Sequence, residues 1–273
     1  MLSVPLILAL LTCGAVAGFL AGFLAGLLGV GGGLVIVPVV LGVLSAAQLG
    51  GDHAQHLAVG TSLAVMVFTS LSSVRAHHKK GAVDWRIVRA MAPAMVVGTL
   101  LGSLVAGAIS GLALKWFFVG YAYLVAVQMF FNLRPHASRG IPGQAGQWSA
   151  GGLIGMISSW VGIGGGSMSV PYMSWCNVPV HTAIATSAAL GWPIAVSGAV
   201  GYLYSGWGAA GLPAGALGFV YLPAMLALML MTVLMAPLGA RAAHKLPVAR
   251  LKQVFAALMA VMASEMLYDL LRG

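Results

Sequence analysis

Acidic residues are nearly missing from this chain: 273 residues hold four Asp and Glu against 13 Lys and Arg, and charged side chains of either sign make up only 6%. The sequence is 60% hydrophobic, with a mean hydropathy of +1.01. Polar surface is too scarce to cover a water-soluble globule, so the composition is that of an integral membrane protein. Of the acids, Asp52 and Asp84 stand in polar loops, and Glu265 and Asp269 near the end of the last apolar segment. No carboxylate falls at mid-membrane, where cation pumps place ionisable groups. That suits the interior to anions, or to coupling through backbone carbonyls and histidine. The only cysteines, Cys13 and Cys176, lie in apolar sequence without metal-ligand spacing, which reads as buried thiols and not a disulfide. No His-x-x-x-His pair or carboxylate cluster supports a metal site, and no nucleophile with a base supports catalysis. Neither metal, cofactor nor enzymatic activity is expected. A basic n-region is absent before the first apolar run, which is therefore expected to stay in the mature protein.

Glycine is abundant, and its placement carries the most information. Gly29-Val30-Gly31-Gly32-Gly33 followed by Val37-Pro38 returns as Gly162-Ile163-Gly164-Gly165-Gly166 followed by Val170-Pro171, at a constant offset of 133 (162 − 29 and 171 − 38). Each glycine costs a helix about 1 kcal/mol relative to alanine, so the runs predict two helix breaks. The segment resuming after each break presents the free N–H groups of a helix start, which is anion-binding chemistry. Each proline is expected within the first turn of the resumed helix, where a missing N–H breaks no bond. Close packing by small residues is the competing reading. It also suits Gly14, Gly18, Gly22 and Gly26, spaced four apart as one smooth ridge.

Leu34 to Leu49 is about 24 Å of helix and Ser167 to Val180 about 21 Å, both short for a hydrocarbon core of about 30 Å. Each glycine hairpin is therefore read as either re-entrant or two short crossings, with its tip buried in protein or facing a wet cavity. Three long apolar segments follow each hairpin, at 57–74, 87–109 and 112–133, then at 182–205, 217–239 and 253–271. Basic residues concentrate in 75–89, 134–147 and 240–252, whereas 50–55 and 206–216 carry no Lys or Arg. Those clusters read as cytoplasmic loops, not as a nucleic-acid surface. With all three inside, the two halves run in opposite directions across the membrane. The predicted fold is an all-α polytopic membrane protein of two inverted-topology repeats, 1–133 and 148–273, joined by a cytoplasmic linker at 134–147. Each repeat is a broken or re-entrant hairpin followed by three transmembrane helices, an architecture of secondary transporters.

The expected substrate site comprises Gly31, Gly32, Gly33 and Leu34 at one tip, Gly164, Gly165, Gly166 and Ser167 at the other, and the repeated hydroxyl pairs Thr61-Ser62 and Thr186-Ser187. Hydroxyls donate to an anion without a buried charge; bonding within a helix or between two helices is their competing role. His56 and His181 occupy matching positions and are candidates for proton or anion contact, with helix capping as the alternative. His53, His77, His78, His136 and His244 are assigned to polar loops. Lys115, near the outer end of its segment, reads as a snorkelling side chain.

The doubled Gly-x-Gly-Gly-Gly with Val-Pro, followed in each half by an Ala-x-x-Thr-Ser helix start, resembles the sulfite exporter TauE/SafE family over nearly the whole chain. The resemblance implies Gly29, Gly31 to Gly33, Pro38, Gly162, Gly164 to Gly166 and Pro171 as signature positions. It further implies a multi-pass transporter of sulfur-containing anions, such as sulfite or organosulfonates, in the bacterial cytoplasmic (inner) membrane. Expected partners are a small anionic substrate and the lipid bilayer, with no nucleic acid and with a homodimer left open. A passive anion channel and an importer of another small oxyanion or carboxylate are the alternatives. Ala185 stands where the first half has Gly60, so the halves need not serve the substrate equally.

Overall fold

A computed structural model describes residues 4–29, 31–132, 140–243 and 248–272, and side chains from Gly14 onward except those of 248–251. The described residues form ten α-helices. The first half contains α1 (Val4–Leu28), α2 (Gly33–Ala46), a 3-10 turn at Gly51–His53, α3 (Ala54–His78), α4 (Trp85–Ala108) and α5 (Gly111–Phe130). The second contains α6 (Gln144–Val161), α7 (Gly166–Trp175), α8 (Val180–Ser205), a hairpin of β1 (Ala216–Leu217) and β2 (Val220–Tyr221), α9 (Leu222–Ala242) and α10 (Val248–Arg272). Six of the helices, α3, α4, α5, α8, α9 and α10, are long and apolar enough to cross a membrane. With 14 and 10 residues, α2 and α7 are not. At 1.5 Å per residue they reach about 21 and 15 Å.

Both short helices end earlier than their apolar sequence suggests. Gln48 and Asn177 turn left-handed (φ 53° and 64°), and Leu49 and Val178 then donate back to Leu44 and Met173 at 2.8 and 3.0 Å. This 6→1 closure satisfies a terminal carbonyl and stops the helix. A third departure concerns 217–239, whose first five residues are a turn and strands, not helix. That hairpin tucks under α3, with Phe219 N–H donating to the Tyr202 carbonyl at 3.1 Å. A Cβ on Gly60 would collide with the Phe219 carbonyl, which accounts for glycine there and alanine at 185.

Two helices form the centre. The apolar stretches of α3 and α8 are 72% and 78% buried, against 28% for α9 and α10, so the former pair is the core and the latter present side chains such as Leu226, Leu230 and Val261 outward. Around the core, α1 packs on α9 and α6 on α4, α2 on α3 and α7 on α8, with α5 beside α10. Every one of these partnerships maps onto another, or onto itself, when the halves are exchanged. Small residues make it possible: a Cβ on Gly22 would meet the Thr232 backbone, on Gly26 the Ala236 carbonyl, on Gly155 the Met95 carbonyl, and on Gly102 the Met156 backbone. In lipid, where apolar burial drives little association, such backbone approach supplies the packing energy. Polar links add to it. Thr69 donates to Thr232 Oγ1 at 2.8 Å across α3 and α9, and Thr232 passes its proton to the Met229 carbonyl at 2.9 Å.

His77 and His78 end α3 and do not lie in a loop; His77 is 1% exposed, its Nε2 2.9 Å from the Gly26 carbonyl. His53 sits in the 3-10 turn, and His136 and His244 fall outside the described residues. Cys176 is a buried free thiol, whereas the Cys13 side chain is outside the described set. The close approach at Gly155 makes a stability prediction. Gly155→Ala places a methyl against Met95 and Thr99 and should cost about 1–3 kcal/mol. Gly120→Ala, with nothing within 4 Å of its Cβ, should gain a few tenths to about 1 kcal/mol from helix propensity. Thermal unfolding of detergent-purified variants checks both; equal midpoints would contradict the packing account.

Candidate functional site

Both predicted helix breaks are present and are built alike, except that Gly31 is left-handed and its counterpart Gly164 is not. Gly29, Gly31 and Gly32 have φ of 68°, 81° and 80°, and Gly162 and Gly165 have 75° and 72°, the left-handed region open to glycine and costing other residues about 1–2 kcal/mol each. Gly32 and Gly165 occupy the N-cap positions of α2 and α7 without any side-chain cap. Among the described residues, no acceptor pairs with the backbone N–H of Gly33, Leu34, Gly166 or Ser167. These are the orphan donors of a helix start, at its positive end. Pro38 and Pro171 depart from expectation. Each is the sixth residue of its helix, past the first turn, so it removes a bond and leaves the Leu34 and Ser167 carbonyls without their helical donors.

The two breaks touch. A Cβ on Gly31 would lie 3.1 Å from Gly164 N and 3.2 Å from its Cα, and one on Gly33 would collide with the Gly162 carbonyl. Hydrogen bonds then cross from each half to the other. Ser62 on α3 donates to the Gly162 carbonyl and Ser187 on α8 to the Gly29 carbonyl, each at 2.8 Å. Thr61 Oγ1 accepts from Tyr221 N–H at 2.8 Å, and Thr186 Oγ1 from Asp84 N–H at 3.0 Å. Tyr221 and Asp84 are the N-cap residues of α9 and α4, and the Asp84 carboxylate accepts from Arg86 N at 2.9 Å. All four hydroxyl residues are fully buried.

The serines and threonines are thus differently placed. Ser62 and Ser187 have committed their single protons to break carbonyls. Thr61 and Thr186 use a lone pair, and their protons meet no acceptor among the described residues. Leu34 is buried beside the break, and Ser167 is held by Tyr121, 2.6 Å between hydroxyls. The histidines are not brought together. His56, 2% exposed, reaches the Ala106 and Ile109 carbonyls with Nε2 at 3.0 and 3.1 Å, which assigns the proton to that nitrogen, and it stacks on Phe219 at 4.9 Å. His181 is exposed at the start of α8. Asp84, Tyr221 and Tyr121 took part unforeseen. Only Asp84 had a readable signal, an acid one residue before an amphipathic run.

Comparison with known proteins fits this geometry. The family described as Sulfite exporter TauE/SafE matches residues 14–266. This chain belongs to that family. A "Probable membrane transporter protein" of Haemophilus influenzae is 36% identical over 241 residues, 88% of this chain and 91% of the relative. The TauE/SafE chain is also similar to YunE of Bacillus subtilis, 28% over 200 residues (66% and 73%), and to MJ0441 of Methanocaldococcus jannaschii, 26% over 254 residues (88% and 89%), both called probable membrane transporter proteins. No solved structure matches. Family membership and six apolar helices make it a multi-pass membrane transporter.

Removing either crossing serine strands a buried carbonyl, which costs about 1–3 kcal/mol. Ser62→Ala and Ser187→Ala should each lower the thermal midpoint of the purified protein, whereas Ser149→Ala, on an exposed turn of α6, should not. Unchanged midpoints in both crossing variants would remove the reciprocal bonds as a stabilising element.

Proposed function

We propose that this protein is a secondary transporter that exports small sulfur-containing anions, such as sulfite or organosulfonates, across the bacterial cytoplasmic membrane by alternating access. The observation carrying the reading is the backbone contact of two glycine breaks, each opening a helix with unpaired N–H groups. The description of the family supports the substrate class. In this reading residues 1–133 and 148–273 are inverted repeats with re-entrant hairpins, joined by a cytoplasmic linker at 134–147, and both chain termini lie outside. The basic ends of α3 and α9 then face the cytoplasm. Exchange of partners between halves suits the mechanism. Each hairpin packs on the core helix of its own half and bonds to that of the other, so a hairpin and its core helix can move as a unit when the crossing serine bonds open.

The anion is taken between the resumed helix starts. Gly31, Gly32, Gly33 and Leu34 on one side, and Gly164, Gly165, Gly166 and Ser167 on the other, offer backbone donors, and Thr61 and Thr186 offer free hydroxyl protons. Ser62 and Ser187 join only when their carbonyl bonds open. Each helix start contributes about half a positive charge, worth up to about 2 kcal/mol when partly buried. A hydrogen bond to a charged oxyanion adds about 1.5–3 kcal/mol. After association entropy the sum reaches millimolar to micromolar affinity, weak enough to release its load.

Counterflow of labelled sulfite into proteoliposomes tests the reading. Accumulation driven by internal sulfite supports a transporter; equilibration without counterflow would mean a channel, and counterflow of only another oxyanion or a carboxylate would move the substrate class. Thr61→Ala and Thr186→Ala should each weaken binding by about 1–3 kcal/mol, with little change in Lys115→Ala. For topology, Lys80→Cys and Ala210→Cys, both on exposed residues, should label from opposite faces of intact cells. Labelling from one face would overturn the inverted arrangement.

A further inference from the structure

The two core helices are not equal around the breaks. Ser62 and Ser187 are 125 residues apart (187 − 62) and make equivalent bonds. The same shift relates Leu63 to Ala188, Met66 to Gly191, Ser70 to Ala195 and Ser73 to Gly198. Antiparallel crossing of α3 and α8 therefore forms two equivalent slots. In one, a Cβ on Gly191 would lie 3.4 Å from Ser70 Oγ. In the other, a Cβ on Gly198 would lie 2.8 and 3.2 Å from the Leu63 methyls.

The contents of the slots differ. Leu63, fully buried against Gly198, fills the second. Ala188 and Gly191 leave the first as a narrow cleft, nowhere wide enough for a water, closed by Ala25, Gly29, Gly31, Ser70 and Ser73. Ser73 is 2% exposed, and its hydroxyl has no hydrogen-bond partner. An unpaired buried hydroxyl costs about 1–3 kcal/mol. No carboxylate lines this cleft. The backbone of Gly29 and Gly31 there leads to the positive end of α2, and Arg75, His78, Lys79 and Lys80 stand exposed at and just past the end of α3, within two turns of Ser73.

Resting on the transporter reading above, we propose that the Ser70–Ser73 cleft is a one-sided oxyanion site on the cytoplasmic side of the glycine breaks. It binds the oxygens of a sulfite or sulfonate group through the two serine hydroxyls at the positive end of α2. The basic end of α3 draws anions towards it. Because the cleft is narrower than a water, occupancy requires α8 to part from α3, and binding is thereby coupled to movement of the core helices. The equivalent outer slot, filled by Leu63, takes no anion.

Cysteine protection tests this with the full chain. Cys13 and Cys176 are replaced by alanine, and Ser73→Cys or Ala195→Cys is added. In inside-out vesicles a membrane-impermeant maleimide should label Ser73→Cys, about 10 mM methanesulfonate should slow that labelling several-fold, and Ala195→Cys should show no protection. Ser70→Cys gives the same reading if Ser73→Cys does not assemble. In proteoliposomes Ser73→Ala should raise the sulfite KM roughly tenfold. Labelling at both serine positions that is absent, or indifferent to methanesulfonate, overturns the site, as does Ser73→Ala with the wild-type KM. Wild-type vesicles that move no anion, combined with retained protection at Ser73→Cys, would sink the transporter reading and leave the anion site standing.

Discussion

A helix that stops among buried apolar side chains leaves carbonyls behind, and where their donors come from decides much of this structure. In hydrocarbon an unsatisfied backbone group costs several kcal/mol. The carbonyls of Gly29 and Gly162, at the two stops, are satisfied by Ser187 and Ser62. Each donor belongs to the half that does not contain the break. Neither half can complete its own interruption, so α3 and α8 are drawn to the centre and the hairpins are drawn to each other.

The outer helices follow the same exchange. α1 lies against α9 and α6 against α4, with glycines at every close approach, because helices surrounded by lipid gain from atomic contact and not from hiding apolar surface. Thr61 and Thr186 complete the weave by accepting from the first residues of α9 and α4. An N-cap N–H that in a soluble protein would meet water here meets a hydroxyl from across the pseudo-symmetric contact.

The breaks were legible because a run of glycines repeated at a fixed offset has few other causes, and the hydroxyl pairs because they recur at helix starts. Partner identity was not. Sequence shows that Ser62 has a hydroxyl, but the carbonyl 100 residues away that takes its proton is known only once the halves are folded together. His77 was misplaced because five basic residues and histidines around 75–80 look like a loop, whereas the last turn of α3 carries Arg75, His77 and His78 and buries His77 against Gly26. Pro38 and Pro171 were set too early in their helices, since a one-residue N-cap and a glycine first position lengthen the helix ahead of them. The strand pair at 216–221 escaped notice because Ala, Leu, Phe and Val continue the apolar pattern of α9, and only Gly215 and Gly218 interrupt it.

The crossed serine bonds also bear on how the protein is made. When the helices of the first half have been made, the carbonyl of Gly29 still waits for a donor 158 positions later in the chain. Until α8 is synthesised and inserted, the first hairpin has no native partner for its interrupted backbone. The native bond at this carbonyl therefore closes only after α8 has been made, so the backbone of the first break is completed by the second half of the chain.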